Sequence, residues 1–177
     1  MSKYLQTSDT AIVFKGKVAK LVRKFVTVGS RILDISAAGG GLGRQLQDYK
    51  VLSADFQNYT NGLPFVEIDA NKEWPTKEIF DCVVSIATIE HLENPSLFLR
   101  EIFDHLKPKG VAIISFPDVT DFRHRLNYFL KAELPRYHSN KEHISIIHPD
   151  VFERVFPFEI LAKGVSSCSM WYVGRKA

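Results

Sequence analysis

An apolar run that carries an acid, Arg31-Ile32-Leu33-Asp34-Ile35-Ser36, leads directly into Gly39-Gly40-Gly41-Leu42-Gly43, which holds four of the chain's ten glycines. A buried strand, a glycine turn and a helix over 42–48 are the first half of a βαβ unit, because only a glycine-rich turn lets a strand reverse so tightly into a helix. A second apolar run, Lys50 to Asp55, again ends in an acid. Leu63 to Asp69, Phe80 to Ala87 and Val111 to Phe116 read as three further strands, the fourth of the series almost wholly apolar. Continuous apolar strands belong to parallel sheets covered on both faces. Asn94-Pro95-Ser96 opens a helix whose apolar positions run from Leu97 to Leu106, and Lys107-Pro108-Lys109-Gly110 ends it. Strands and helices alternating at this pitch predict an α/β fold with a doubly wound sheet and helices on both faces.

The remainder fits around that unit. Val18, Leu21, Val22, Phe25 and Val26 fall at helical spacing, so residues 1–30 read as an N-terminal helical segment whose stripe opens at Gly16-Lys17. Residues 117–148 break the rhythm with Phe122, Arg123, His124, Arg125, Tyr128, Phe129, Arg136, Tyr137, His138 and His143; an insertion after a strand's C-terminal end is a natural place to bind a ligand. Pro149 to Phe156 predicts a short helix, and Phe158–Ala162 and Met170–Gly174 two closing strands. With 177 residues and 45% hydrophobic content, one domain over 1–177 is expected. Two cysteines, Cys82 in an apolar strand and Cys168, fit a reducing cytoplasm rather than a disulfide scaffold. No apolar run approaches the roughly 20 residues of a membrane span. The net charge of +3 arises from 23 basic and 20 acidic residues that are interspersed, which does not indicate nucleic acid.

The glycine turn brings backbone amides and a helix N-terminus toward an anionic group, either a pyrophosphate or the carboxylate of an amino-acid-like cofactor. A P-loop is excluded because no Lys-Ser or Lys-Thr follows, and the dinucleotide pattern G-x-G-x-x-G fails at Arg44. Asp55, ending the second strand, suits the two hydroxyls of a ribose.

Taken together, these segments resemble the class I S-adenosylmethionine-dependent methyltransferases of small molecules, particularly the ubiquinone-biosynthesis O-methyltransferase group, over nearly all of residues 31–175. Leu33 to Gly40 occupies the place of L-D-x-G-x-G-x-G, with Ser36 and Ala38 where glycines are usual. Phe80 to Ser85, Glu90-His91 to Pro95 and Leu106 to Gly110 follow in the order of F-D-x-V-x-S, E-H-x-x-x-P and L-K-P-G-G, and Pro117-Asp118 and Glu142-His143-Ile144 match two later segments.

The resemblance implies a mostly parallel Rossmann-like sheet with an antiparallel C-terminal strand, and S-adenosyl-L-methionine as cofactor. It places Asp34, Ser36, Ala38, Gly39 and Gly40 around the methionine moiety, Asp55 at the ribose, Asp69 and Ala70 at the adenine, and Phe56, Ile86 and Ala87 along the walls. His91 and His143 are the candidate catalytic bases or acceptor-orienting groups, since a histidine titrates near neutrality. Glu90, Glu93 and His91 offer a set that could hold a divalent metal, as in some relatives that resemble this stretch, but Glu and His so close together commonly form a hydrated loop, and no residue is assigned as a metal ligand. The acceptor is a small, saccharide or lipid-like molecule, and the short N-terminal segment leaves room for a partner chain or homo-oligomer. Two rival readings stand beside this one: a binding or scaffold protein on a degenerate methyltransferase fold, prompted by Ser36 and Ala38, and a short-chain dehydrogenase, prompted by Tyr137 and Lys141. The glycine pattern opposes the dehydrogenase, and Ser115 lies farther from Tyr137 than that family places its serine.

Overall fold

The computed structural model describes residues 9–132, 142–166 and 168–177, without the side chains of 9–15, 123 and 124. Its elements are α1 (Asp9–Phe25), β1 (Arg31–Ile35), α2 (Gly41–Gln45), β2 (Lys50–Asp55), β3 (Phe65–Glu67), β4 (Phe80–Ile86), a 3₁₀ turn (Ile89–His91), α3 (Pro95–Asp104), β5 (Leu106–Pro117), α4 (Phe122–Lys131), α5 (Pro149–Val155), β6 (Glu159–Ser166) and β7 (Ser169–Arg175). The strands form one sheet in the order β3-β2-β1-β4-β5-β7-β6. β1 to β5 run parallel, whereas β7 pairs antiparallel with both β5 and β6.

Alternation along the central strands builds two cores, as a sheet covered on both faces requires. Leu33, Val83, Ala112 and Ile114 face α3 and α5 with Phe98, Ile102 and Phe152. Ile32, Cys82, Val84 and Ile113 face the opposite layer with Val18, Val22, Leu42 and Leu46 of α1 and α2. Asn94 Oδ1 accepts a hydrogen bond from Leu97 N at 3.0 Å and Pro95 follows, so α3 carries an N-cap whose loss would cost about 1 kcal/mol.

The structure moves several predicted boundaries. α1 begins at Asp9 rather than at Gly16-Lys17, and α2 ends at Gln45. α3 stops at Asp104, and the Lys107-Pro108-Lys109-Gly110 segment lies inside β5, which is joined to β4 through an irregular register. A Cβ at Gly110 would lie 2.8 Å from the Lys107 carbonyl oxygen, so glycine is what permits that bend. β3 shrinks to three residues because the chain turns at Asp69, whose carboxylate accepts from Asn71 N at 3.0 Å. Both closing strands are present and both run antiparallel to their sheet neighbours. The C-terminal ends of β1, β2, β3, β4 and β5 therefore share one edge of the sheet, where ligands of open α/β sheets bind.

Candidate active site

At that edge the segment after β1 bends twice through left-handed backbone: Ser36 has φ 58° and Ala38 φ 49°, with Gly40 at φ 70° as the N-cap of α2. The two residues that stand in for expected glycines thus keep a glycine-like conformation. A side chain in that region costs roughly 1–2 kcal/mol. Of the glycine cluster, Gly40 is the member that needs to be glycine: a Cβ there would come 2.5 Å from Leu63 Cδ1, whereas at Gly39 it would meet nothing within 4 Å.

Asp55 links this segment to β2. Its Oδ2 accepts from Ala38 N at 3.0 Å and its Oδ1 from Phe56 N at 2.9 Å, and the residue is only 8% exposed. Burial pushes its carboxyl above the usual range, against the lowering effect of the two amides. Each carboxylate oxygen retains a lone pair, so it can accept a ligand hydroxyl without releasing the loop. Asp34 is buried within β1, opposite Ser53 and Val84. Phe56 is exposed and meets the Tyr59 ring edge-on at 6.0 Å. Asp69 sits in the turn after β3 with Lys72 Nζ 2.9 Å from its Oδ2, a contact that lowers its pKa. Ala70 packs against the α3-side core and Ile86 against the opposite one. Ala87, exposed just past β4, is again left-handed at φ 53°, its amide donating to the Ser115 carbonyl at 3.1 Å.

His91 and His143, far apart in sequence, come together. Their rings lie 4.6 Å apart in an edge-to-face arrangement. Ser145 makes this contact: its amide donates to the Glu90 carbonyl at 3.0 Å and its hydroxyl to the Leu92 carbonyl at 2.6 Å, seating 142–146 on the 3₁₀ turn. His91 Nδ1 lies 2.9 Å from the Glu142 carbonyl oxygen, so Nδ1 carries the proton and Nε2 keeps its lone pair. Burial lowers the His91 pKa, partly offset by that bond, which favours the neutral ring. Donor atoms of Glu90, His91 and His143 all lie within 4.8 Å of one another, a set able to hold a divalent cation. The sequence reading considered Glu90 and His91 with Glu93; the third member is His143 instead, brought in by Ser145, and no local spacing announces it. Tyr137, His138 and Lys141 lie outside the described residues.

The sheet order, the acid at the end of β2 and the left-handed loop after β1 agree with a match to the methyltransferase domain family across residues 13–157. The chain belongs to that family. Among curated relatives, this methyltransferase-domain chain is 30% identical over 97 residues to the ubiquinone biosynthesis O-methyltransferase of Rickettsia canadensis, a match spanning 48% of this chain and 41% of the relative. The chain thus corresponds to about two-fifths of that relative's length. Among solved structures, a Pyrococcus horikoshii protein superposes with a TM-score of 0.75 at 19% identity, covering 97% of this chain and 93% of its own. The N-methyltransferase NodS of Bradyrhizobium japonicum, solved with S-adenosyl-L-homocysteine, gives 0.71 at 15% identity over 98% of this chain and 91% of its own. At these identities the solved structures speak for the fold.

Proposed function

We propose that this chain transfers a methyl group from S-adenosyl-L-methionine to a small-molecule, saccharide or lipid-like acceptor. The observation that carries the reading is Asp55, a buried carboxylate at the end of β2 that holds the left-handed loop of β1 through Ala38 N while keeping acceptor capacity for a ribose. The residues fit the cofactor: Ser36 and Ala38 reproduce the backbone that glycines would supply, Asp55 would receive the ribose hydroxyls, Asp69 and Ala70 would border the adenine, and Phe56, Ile86 and Ala87 would line the approach. When bound, the sulfonium supplies an electrophilic methyl group. The chain's own contribution is alignment, worth several kcal/mol when the reacting atoms are held in place, and proton removal. His91 Nε2 takes the proton that an O–H or N–H acceptor releases, with His143 against its ring and Nδ1 anchored on Glu142.

The insertion over 117–148 leaves β5 at the same sheet edge, and we assign it to the acceptor side. Cys82 and Cys168 are not joined in a disulfide, which suits a reducing cytoplasm. Incubating the chain with methyl-labelled S-adenosylmethionine and metabolite extracts should label an acceptor, and His91→Gln should abolish the label while S-adenosylhomocysteine still binds. Cofactor binding with no labelled product from any extract would favour a binding protein on this fold.

A further inference from the structure

Gly43 sits in the middle of α2, where glycine is the poorest helix former after proline, and its φ is not left-handed. Backbone conformation does not ask for a glycine here, and a longer side chain would enter open space. A Cβ at this position would lie 3.5 Å from both Leu63 Cδ1 and Val51 Cγ1, two walls of an open hollow of about 650 Å³. Cavities of roughly 300–1,000 Å³ are the size that small ligands occupy. The hollow arises from the way the sheet ends. β3 joins β2 only from Ser53, opposite Phe65, so Lys50–Leu52 has β1 on one side and, among the described residues, no strand on the other. The connection from β2 to β3 brings no helix over the gap, and α2 is only five residues long.

The lining says what fits. Leu46, Val51, Leu63, Pro64 and Phe80 wall the space with apolar surface. Arg31 at its margin is already matched: the guanidinium pairs with Glu78 and lies over the Phe80 ring, 5.3 Å from the centroid. Lys50 lines the hollow too, but it is exposed and forms no ion pair among the described residues. Ser53, in the floor, is only 1% exposed, and its Oγ has no hydrogen-bond partner. An apolar chamber with one uncompensated ammonium at its mouth and a lone hydroxyl inside suits a small monoanion whose apolar body fills the space and whose carboxylate meets Lys50.

We propose that this hollow binds a small apolar carboxylate, at a site separate from that of methyl transfer. Arg31, Lys50 and Phe80 begin β1, β2 and β4, so the hollow opens at the sheet edge opposite the proposed cofactor cradle. Leu63 is a wall that the two share: its Cδ1 is where a Cβ at Gly40, the N-cap of α2, would come within 2.5 Å, so an occupant that moves Leu63 is felt at the start of α2.

The test is a nuclear magnetic resonance titration of the nitrogen-labelled full chain with hydrocinnamate, against its neutral counterpart hydrocinnamyl alcohol. Hydrocinnamate should give saturable shifts at the amides of Gly43, Val51 and Ser53, a smaller one at Gly40 and none at His91. The alcohol should bind about fivefold more weakly, the worth of one exposed ion pair. Lys50→Gln should weaken hydrocinnamate by a similar factor and leave the alcohol unchanged. Gly43→Leu, which fills the hollow from α2, should lower the affinity for both at least tenfold with unchanged circular dichroism, since leucine favours a helix over glycine. Absence of saturable shifts in the wild-type chain, shifts confined to residues away from the hollow, equal affinity for acid and alcohol, or binding that Gly43→Leu leaves intact would each overturn the proposal. The titration reads binding without S-adenosylmethionine, so its failure leaves the methyl-transfer reading untouched.

Discussion

Asp55, Ser36, Ala38 and His91 each make a separate physical demand. Asp55→Ala removes a charge-assisted acceptor and leaves the Ala38 amide without its carboxylate, so S-adenosylhomocysteine affinity should fall by roughly 1.5–3 kcal/mol in a calorimetric titration. The left-handed backbone at Ser36 and Ala38 gives a contrary expectation: Ser36→Gly and Ala38→Gly should leave folding stability unchanged or raise it by up to about 1 kcal/mol, because released strain outweighs the added freedom of the unfolded chain. Denaturant midpoints would show this. For His91, burial depresses the folded pKa below the ordinary 6.5, so the neutral base persists at mildly acidic pH. Methyl transfer should rise with pH through a value below 6.5 and then level off, and His91→Gln should lower kcat by roughly 10²–10⁴ and remove that limb. The same depression means that His91's contribution to stability is present above pH 6.5 and is lost as pH falls through the folded value.

Among the elements, the parallel strands were legible because each is a short apolar run bounded by turn residues, and β2 matches its expected span, Lys50–Asp55. β5 was harder: Pro108 and Gly110 are ordinary helix-stop residues, and the segment is drawn into the sheet by pairing of Leu106 with Phe80 and by bonds between the backbone of Lys109 and Gly110 and that of Lys176, all distant in sequence. The residues proposed for the cofactor side share a positional signal, since they lie at or just past the C-terminal ends of β1 to β4. The His91–His143 contact has no such signal, because it depends on Ser145 bonding to carbonyls more than fifty residues away in the sequence. Ser145→Ala should therefore slow methyl transfer while leaving S-adenosylhomocysteine affinity within about twofold, as the lost bond lies on the acceptor side. Gly40→Ala should do the reverse, since Leu63 and the positive φ oppose any side chain at the start of α2 and the cofactor loop must shift. Paired binding and turnover measurements on these two variants would separate the two halves of the site.

For the whole molecule, the sheet gathers both halves of the proposed site at one edge: the proposed cofactor cradle after β1, β2 and β3, and the proposed acceptor side at the 3₁₀ turn after β4 and the segments after β5. The family match establishes the domain, whereas the activity rests on the cradle being functional despite Ser36 and Ala38. Titration calorimetry of the chain with S-adenosylhomocysteine, alongside NAD and the Asp55→Ala variant, addresses that claim most directly. The account predicts one-site binding of S-adenosylhomocysteine, none of NAD, and at least a tenfold loss of affinity in Asp55→Ala; no binding of S-adenosylhomocysteine, or binding that Asp55→Ala leaves unchanged, would contradict it.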